Sequence, residues 1–161
     1  MNVLIIITGG TLNKVHDTLT ENLVFDETSK EQLPDILRIG RCDHPMLHLL
    51  MQKDSLGMSG QDRALILKAV KTAKEDRIVI THGTGTMELT AKYLDGKVGN
   101  KTVILTGAMR PHSLGKSDAS FNLGGAIIAA QSLDYGVFAV MNGRIFEAQN
   151  LNKDTDLGRF D

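Results

Sequence analysis

This 161-residue sequence has no disulfide framework, no membrane-length apolar run and no dominant charge, and each absence closes off a class of protein. A single cysteine, Cys42, excludes internal disulfides and fits a reducing compartment, so a cytoplasmic chain is expected. With no Cys-His pattern around it, Cys42 reads as a small hydrophobe rather than a nucleophile. A net charge of −1 gives no electrostatic ground for binding nucleic acid or an anionic membrane. The apolar run Val3–Ile7 is too short for a span or a signal-peptide core, lacks a basic flank and runs straight into Thr8-Gly9-Gly10. It reads as a buried strand. No internal repeat, low-complexity tract or linker is present. The length suits one domain over residues 1–161, with a core large enough to need no metal or disulfide staple.

What is present is an alternation of short apolar runs and amphipathic stretches. Val3–Thr8, Leu47–Gln52, Ile78–Thr81, Thr102–Thr106 and Val137–Met141 are aliphatic and mostly unalternated, the pattern of strands covered on both faces. Between them, Ser29–Ile39, Gly60–Lys74, Thr86–Leu94 and Ser120–Leu133 space apolar residues as helices do. Strand and helix in alternation predict an α/β fold: a doubly wound, mostly parallel sheet in a three-layer, flavodoxin-like domain. Thr11–Thr28 and Gly107–Ala119 are polar and aperiodic. Long loops of this kind, emerging at the carboxyl edge of a parallel sheet, are where such folds bind ligands.

Three strands end alike, in Thr8-Gly9-Gly10-Thr11, Thr81-His82-Gly83-Thr84-Gly85-Thr86 and Thr106-Gly107-Ala108-Met109-Arg110. Glycine turns let backbone N–H groups converge on an anion or a developing oxyanion, and a helix beginning near Thr86 adds its positive end. A nucleotide site fits poorly. Glu88 stands where the third glycine of a dinucleotide fingerprint belongs, and no Gly-Lys-Ser/Thr occurs. There is no Gly-x-Ser-x-Gly elbow. His44 and His48 have i, i+4 spacing but no zincin glutamate, so neither metal nor cofactor is expected. Thr8, Thr81 and Thr106 read as strand-finishing residues, Thr86 as a helix N-cap, and Glu88 as an ordinary first-turn acid. Arg110 either holds an anion or anchors its loop. Thr11 and Thr84 are either turn residues or reactive hydroxyls, and a hydroxyl becomes a nucleophile only beside a proton acceptor.

Thr8-Gly9-Gly10-Thr11-Leu12, Thr81–Glu88 and Thr106–Pro111 resemble, in order and spacing, the signature segments of bacterial-type L-asparaginases. Asp54-Ser55, Asp118 with Asn122, Val140–Gly143 and Lys153 extend the likeness, and the chain is similar to the short branch consisting of the N-terminal domain alone. The resemblance implies an amidohydrolase that converts asparagine to aspartate and ammonia through a threonine acyl-enzyme. Position by position, Thr11 matches the nucleophile and Thr84 the threonine that activates or positions water. Lys153 matches the partner lysine, which burial would move toward neutrality. Ser55 matches a contact to the substrate carboxylate, and backbone N–H groups around Gly83, Thr84, Gly85 and Ala108 would hold the oxyanion.

Two departures stand out against that pattern. The family normally carries an aspartate where this chain has Gly85; that side chain binds the substrate α-ammonium and orients the lysine, so weak or altered specificity is expected. A similar change occurs at Gly57, and Asp54, Glu88, Asp154 and Asp156 are the candidates to compensate. The family's loop tyrosine is also absent from Thr11–Thr28. The tyrosines are Tyr93 and Tyr135, and His16 is the replacement candidate. The alternatives are a non-catalytic ligand-binding or sensing paralogue, and an amidotransferase-related subunit, since tRNA-dependent amidotransferases contain a related domain. The expected partners are a small amide substrate and further copies of the chain, as a homodimer or homotetramer.

Overall fold

Val3, Ile5 and Ile7 fall on one face of their strand and Leu4 and Ile6 on the other, and all five are buried. A strand dry on both sides requires a helical layer over each face. The computed structural model describes residues 2–161 and has this three-layer build. Its strands are β1 (Val3–Gly9), β2 (Val15–His16), β3 (Leu23–Val24), β4 (Met46–Lys53), β5 (Arg77–Thr81), β6 (Thr102–Thr106), β7 (Gly136–Met141), β8 (Arg144–Glu147), β9 (Lys153–Asp154) and β10 (Arg159–Phe160). Its helices are α1 (Gln32–Ile39), α2 (Gly60–Thr72), α3 (Met87–Leu94) and α4 (Ala119–Ser132). Leu4, Ile6, Ile78 and Ile80 pack against Ile66 and Val70 of α2 and Met87, Ala91 and Leu94 of α3. On the opposite face Val3, Ile5, Ile7, Val79 and Ile104 meet Leu33 and Ile36 of α1 and Leu123, Ala126 and Ile127 of α4.

The main sheet runs β4-β1-β5-β6-β7-β8. The first five strands are parallel, in the expected doubly wound order, and β8 pairs antiparallel with β7. That edge strand was not anticipated. Asn142 and Gly143 adopt φ of 55° and 74°, and Met141 pairs with Arg144 across them. Positive φ at both central residues is the two-residue hairpin turn that Asn-Gly favours. A small hairpin, β2–β3, forms within the Thr11–Thr28 segment expected to be irregular, and a second, β9–β10, closes the described chain. His48 lies on β4, so His44 and His48 do not share a helix face.

Side chains tie the strand ends together. The Thr8 hydroxyl donates to the Thr81 carbonyl (2.7 Å), and the Thr106 hydroxyl donates to the Val140 carbonyl (2.8 Å). Helix α2 opens with a capping box between Ser59 and Asp62. Lys53 Nζ reaches both Asp62 oxygens at 2.8 Å and, with the Ser59 N–H, holds that carboxyl down at about 2. This pins the end of β4 to the start of α2. The strand order reverses at β1, which has β4 on one side and β5 on the other. The crevice beyond the carboxyl ends of β1 and β5 is therefore the topological switch point. Thr11 follows β1 there, and Thr84 follows β5.

Candidate active site

The turns after β1 and β5 touch through their backbones. Gly10 sits at φ 81°, and a Cβ there would fall 2.4 Å from the Gly83 nitrogen. A Cβ on Gly83 would fall 2.6 Å from Ser55 Oγ. These approaches are closed to any side chain. They bring together a cavity of about 190 Å³ lined by Gly10, Thr11, Asp54, Ser55, Leu56, Gly83, Thr84, Gly85 and Lys153. Lys153, on β9, directs Nζ to the Thr84 hydroxyl at 2.9 Å. Among the described residues this is the hydrogen bond that joins two of the expected reacting groups, and Thr11 shares the cavity with them.

Ser55 is buried and held at both ends. Its Oγ accepts the Thr86 N–H (3.2 Å), and its carbonyl accepts the Thr86 hydroxyl (2.8 Å). The Ser55 O–H proton is thereby left to donate into the cavity. Thr86 occupies the N-cap position of α3, as expected, but makes no side-chain cap to it. It bridges to Ser55 instead, and its hydroxyl also accepts from Arg63 Nη2 at 3.0 Å.

Arg63 leads to a group that sequence reasoning passed over. Its Nε donates to the Thr90 hydroxyl at 3.1 Å, and Thr90 Oγ1 lies 2.8 Å from His82 Nε2. His82 Nδ1 lies 2.8 Å from the Gly83 carbonyl, which can only accept. The His82 proton therefore sits on Nδ1, Nε2 accepts from Thr90, and the imidazole is neutral. Burial, above all, pushes its pKa down to about 4 against the opposing pull of the Gly83 carbonyl, and the Arg63 charge adds to the depression. His82 thus braces the Gly83–Thr86 turn from behind.

Lys14 was also missed. It pairs with Asp54, whose other contact is the Leu56 N–H at 3.0 Å, and these two donors lower the Asp54 pKa. The Ser113 hydroxyl donates to the Lys14 carbonyl at 2.8 Å, so the loop after β6 braces the loop after β1. No local pattern announces a pairing between residues forty positions apart. His16 is exposed on the β2–β3 hairpin, paired across it with Leu23, and does not line the cavity. Ala108 is buried in the core under α4 and lies outside the cavity wall as well. Of the expected site residues, the fold gathers Thr11, Ser55, Gly83, Thr84, Gly85 and Lys153. Arg110 donates to the Gly115 and Leu114 carbonyls and so anchors its own loop. Burial and the neighbouring Asp43 raise the Cys42 pKa, which disfavours the reactive thiolate. Among the described residues no cluster of His, Cys, Asp and Glu has the makings of a metal site, and no helix is long and apolar enough to cross a membrane.

An open, mostly parallel sheet with a hydroxyl- and lysine-lined cavity at its switch point defines an α/β ligand-site protein with groups suited to acyl transfer. The particular family follows from comparison. The chain belongs to the asparaginase family: the family model described as Asparaginase, N-terminal, matches residues 2–158. It is 33% identical over 172 residues to L-asparaginase 2 of Escherichia coli (strain K12), covering 99% of this chain and 49% of that protein. It is 31% identical to the probable periplasmic L-asparaginase of Haemophilus influenzae, over 94% of this chain and 46% of the relative. A glutamyl-tRNA(Gln) amidotransferase polypeptide of Methanococcus vannielii is 31% identical over 89% of this chain and 35% of its own length. Among solved structures, the thermostable L-asparaginase from Thermococcus kodakarensis superposes with a TM-score of 0.83 at 27% identity, covering all of this chain and 51% of the other. The chain spans about half the length of the curated relatives it matches.

Proposed function

We propose that the chain is an amidohydrolase of the L-asparaginase type, with residues 1–161 forming one domain. Thr11 Oγ attacks the carbonyl carbon of a primary amide, the C–N bond breaks, and ammonia leaves with the proton. This forms an ester to Thr11. Water, activated through the Thr84 hydroxyl with Lys153 Nζ hydrogen-bonded to it, then breaks that ester, releases the acid and restores Thr11. Backbone N–H groups of the Gly83–Gly85 turn stabilise the oxyanion in both steps, an effect typically worth about 10²–10³ in rate per donor. The observation that carries this reading is the 2.9 Å contact between Lys153 Nζ and the Thr84 hydroxyl, in the same small cavity as Thr11.

The names of the relatives support the same chemistry. The single free cysteine supports a cytoplasmic setting, although one relative is named as periplasmic. Exposed Phe121, Ile128 and Ile145 on and beside α4 support assembly into a homodimer or homotetramer; light scattering that finds only monomer at working concentration contradicts it. The test of the activity is ammonia release from a panel of primary amides by wild type and Thr84→Ala. The variant should lose about 10²–10⁴ of the rate, the usual contribution of a positioned acid–base group. Release that does not depend on Thr84, or no release from any amide, overturns the reading.

A further inference from the structure

The cavity is rich in donors, and the carboxylate in its wall is already committed. Donors into it are the Ser55 hydroxyl, the N–H groups of the Gly83–Gly85 turn and Lys153. Asp54 is the carboxylate in its wall, and it is taken up by Lys14 and the Leu56 N–H. The other acids near this end of the sheet are used or lie outside. Asp154 Oδ1 accepts the N–H groups of Asp156 and Leu157 at 2.9 Å, which closes the β9–β10 turn. Asp62 is held by Lys53 and Ser59, and Asp118 caps Met109 and Arg110. Glu88 and Asp156 do not line the cavity. Beside Gly85 the wall is apolar: a Cβ there would meet Leu56 Cδ2 at 2.9 Å, Leu56 Cγ at 3.1 Å and Ser55 Oγ at 3.2 Å. Leu56 is 77% exposed, so its side chain is free to rest against a ligand.

A cation brought into such a wall finds no free counter-charge, whereas a carboxylate finds several donors and a methylene finds Leu56. We propose that the site selects primary monoamides of short dicarboxylic acids that lack an α-ammonium group, and that the Leu56–Gly85 wall sets this preference. A cavity of about 190 Å³ matches a chain of four or five carbons. The proposal rests on the amide-cleaving reading for its substrate, but its selectivity is a property of binding and is tested apart from turnover. An ammonium left without a partner costs about a ten- to hundredfold in affinity.

The experiment is calorimetric titration of the wild-type chain with succinate and with L-aspartate, which differ by the ammonium alone. Succinate should bind at least tenfold more tightly. Equal affinities, tighter L-aspartate, or no binding of either overturns the proposal. Ammonia release from succinamate and from asparagine, measured in parallel, separates the two claims: tighter succinate with no Thr84-dependent release upholds the selectivity and defeats the hydrolase reading. In Gly85→Asp, which needs the exposed Leu56 side chain to swing aside and Ser55 Oγ, 3.2 Å from the new Cβ, to give by a few tenths of an ångström, the ratio should move about tenfold toward L-aspartate. A ratio that stays put in the folded variant removes the Leu56–Gly85 wall as its origin.

Discussion

Acid should weaken this fold well before its carboxylates begin to take up protons, because His82 is completely buried and neutral. Its pKa falls from 6.5 to about 4 on folding. Between those values the unfolded chain binds a proton that the folded chain refuses, so stability rises with pH across that window. The contribution is present in full above pH 6.5 and is lost progressively as the pH falls toward 4. At roughly 1.4 kcal/mol per pKa unit, the shift corresponds to about 3 kcal/mol, a large share of the stability of a domain this size. The carboxylates with lowered values, Asp54, Asp62 and Asp35 among them, act mainly below this window because they start from 3.8. His82→Asn keeps a donor for the Gly83 carbonyl and removes the titration. Urea unfolding followed by circular dichroism at pH 7 and pH 4.5 should show wild type losing about 2–3 kcal/mol and the variant much less. Equal losses in both proteins would refute the assignment of His82 as a buried neutral brace.

Three further outcomes follow from the same contacts. Ser59→Ala removes the capping box of α2 and should lower stability by about 1 kcal/mol, read as a lower urea midpoint at unchanged slope. Gly10→Ala forces a side chain into φ 81° and against the Gly83 nitrogen. It should cost about 2–4 kcal/mol in chemical denaturation and abolish turnover in whatever fraction still folds, because Thr11 and Thr84 are moved apart. Arg63→Met frees Thr86 and Thr90 from the guanidinium and loosens Ser55 without touching the cavity. Steady-state kinetics should show KM raised about tenfold with a smaller change in kcat, since a weakened ground-state contact affects both states alike.

The sheet was legible in the sequence because strands buried on both faces must be continuously aliphatic, and runs such as Val3–Ile7 and Val103–Leu105 are. The β8 edge was missed although Asn142-Gly143 announces a hairpin. Arg144–Glu147 is short and half polar, so its own pattern does not read as a strand. Thr11 and Thr84 were legible as candidates because they sit in glycine turns after strands, whereas their roles, and Lys153 on β9, came from the family resemblance. Their supports were not: Lys14 with Asp54, Arg63 with Thr86 and Thr90, and His82 behind Gly83 are set by how distant loops pack. His16 failed as a stand-in for the absent loop tyrosine because the β2–β3 hairpin turns it toward solvent. Gly85 was visible as an anomaly, but that Leu56 occupies the space beside it depends on the turn at Ser55–Gly57.

In the proposed chemistry Thr11 carries the acyl chain while Thr84 and Lys153 bring water to it. The most direct measurement is mass spectrometry of Lys153→Met and Thr84→Ala incubated with amide substrate, followed by peptide mapping. An acyl adduct on Thr11 that accumulates in these variants and clears in wild type is the expected result. An adduct on another residue, or ammonia release undiminished in Thr11→Val, would contradict it.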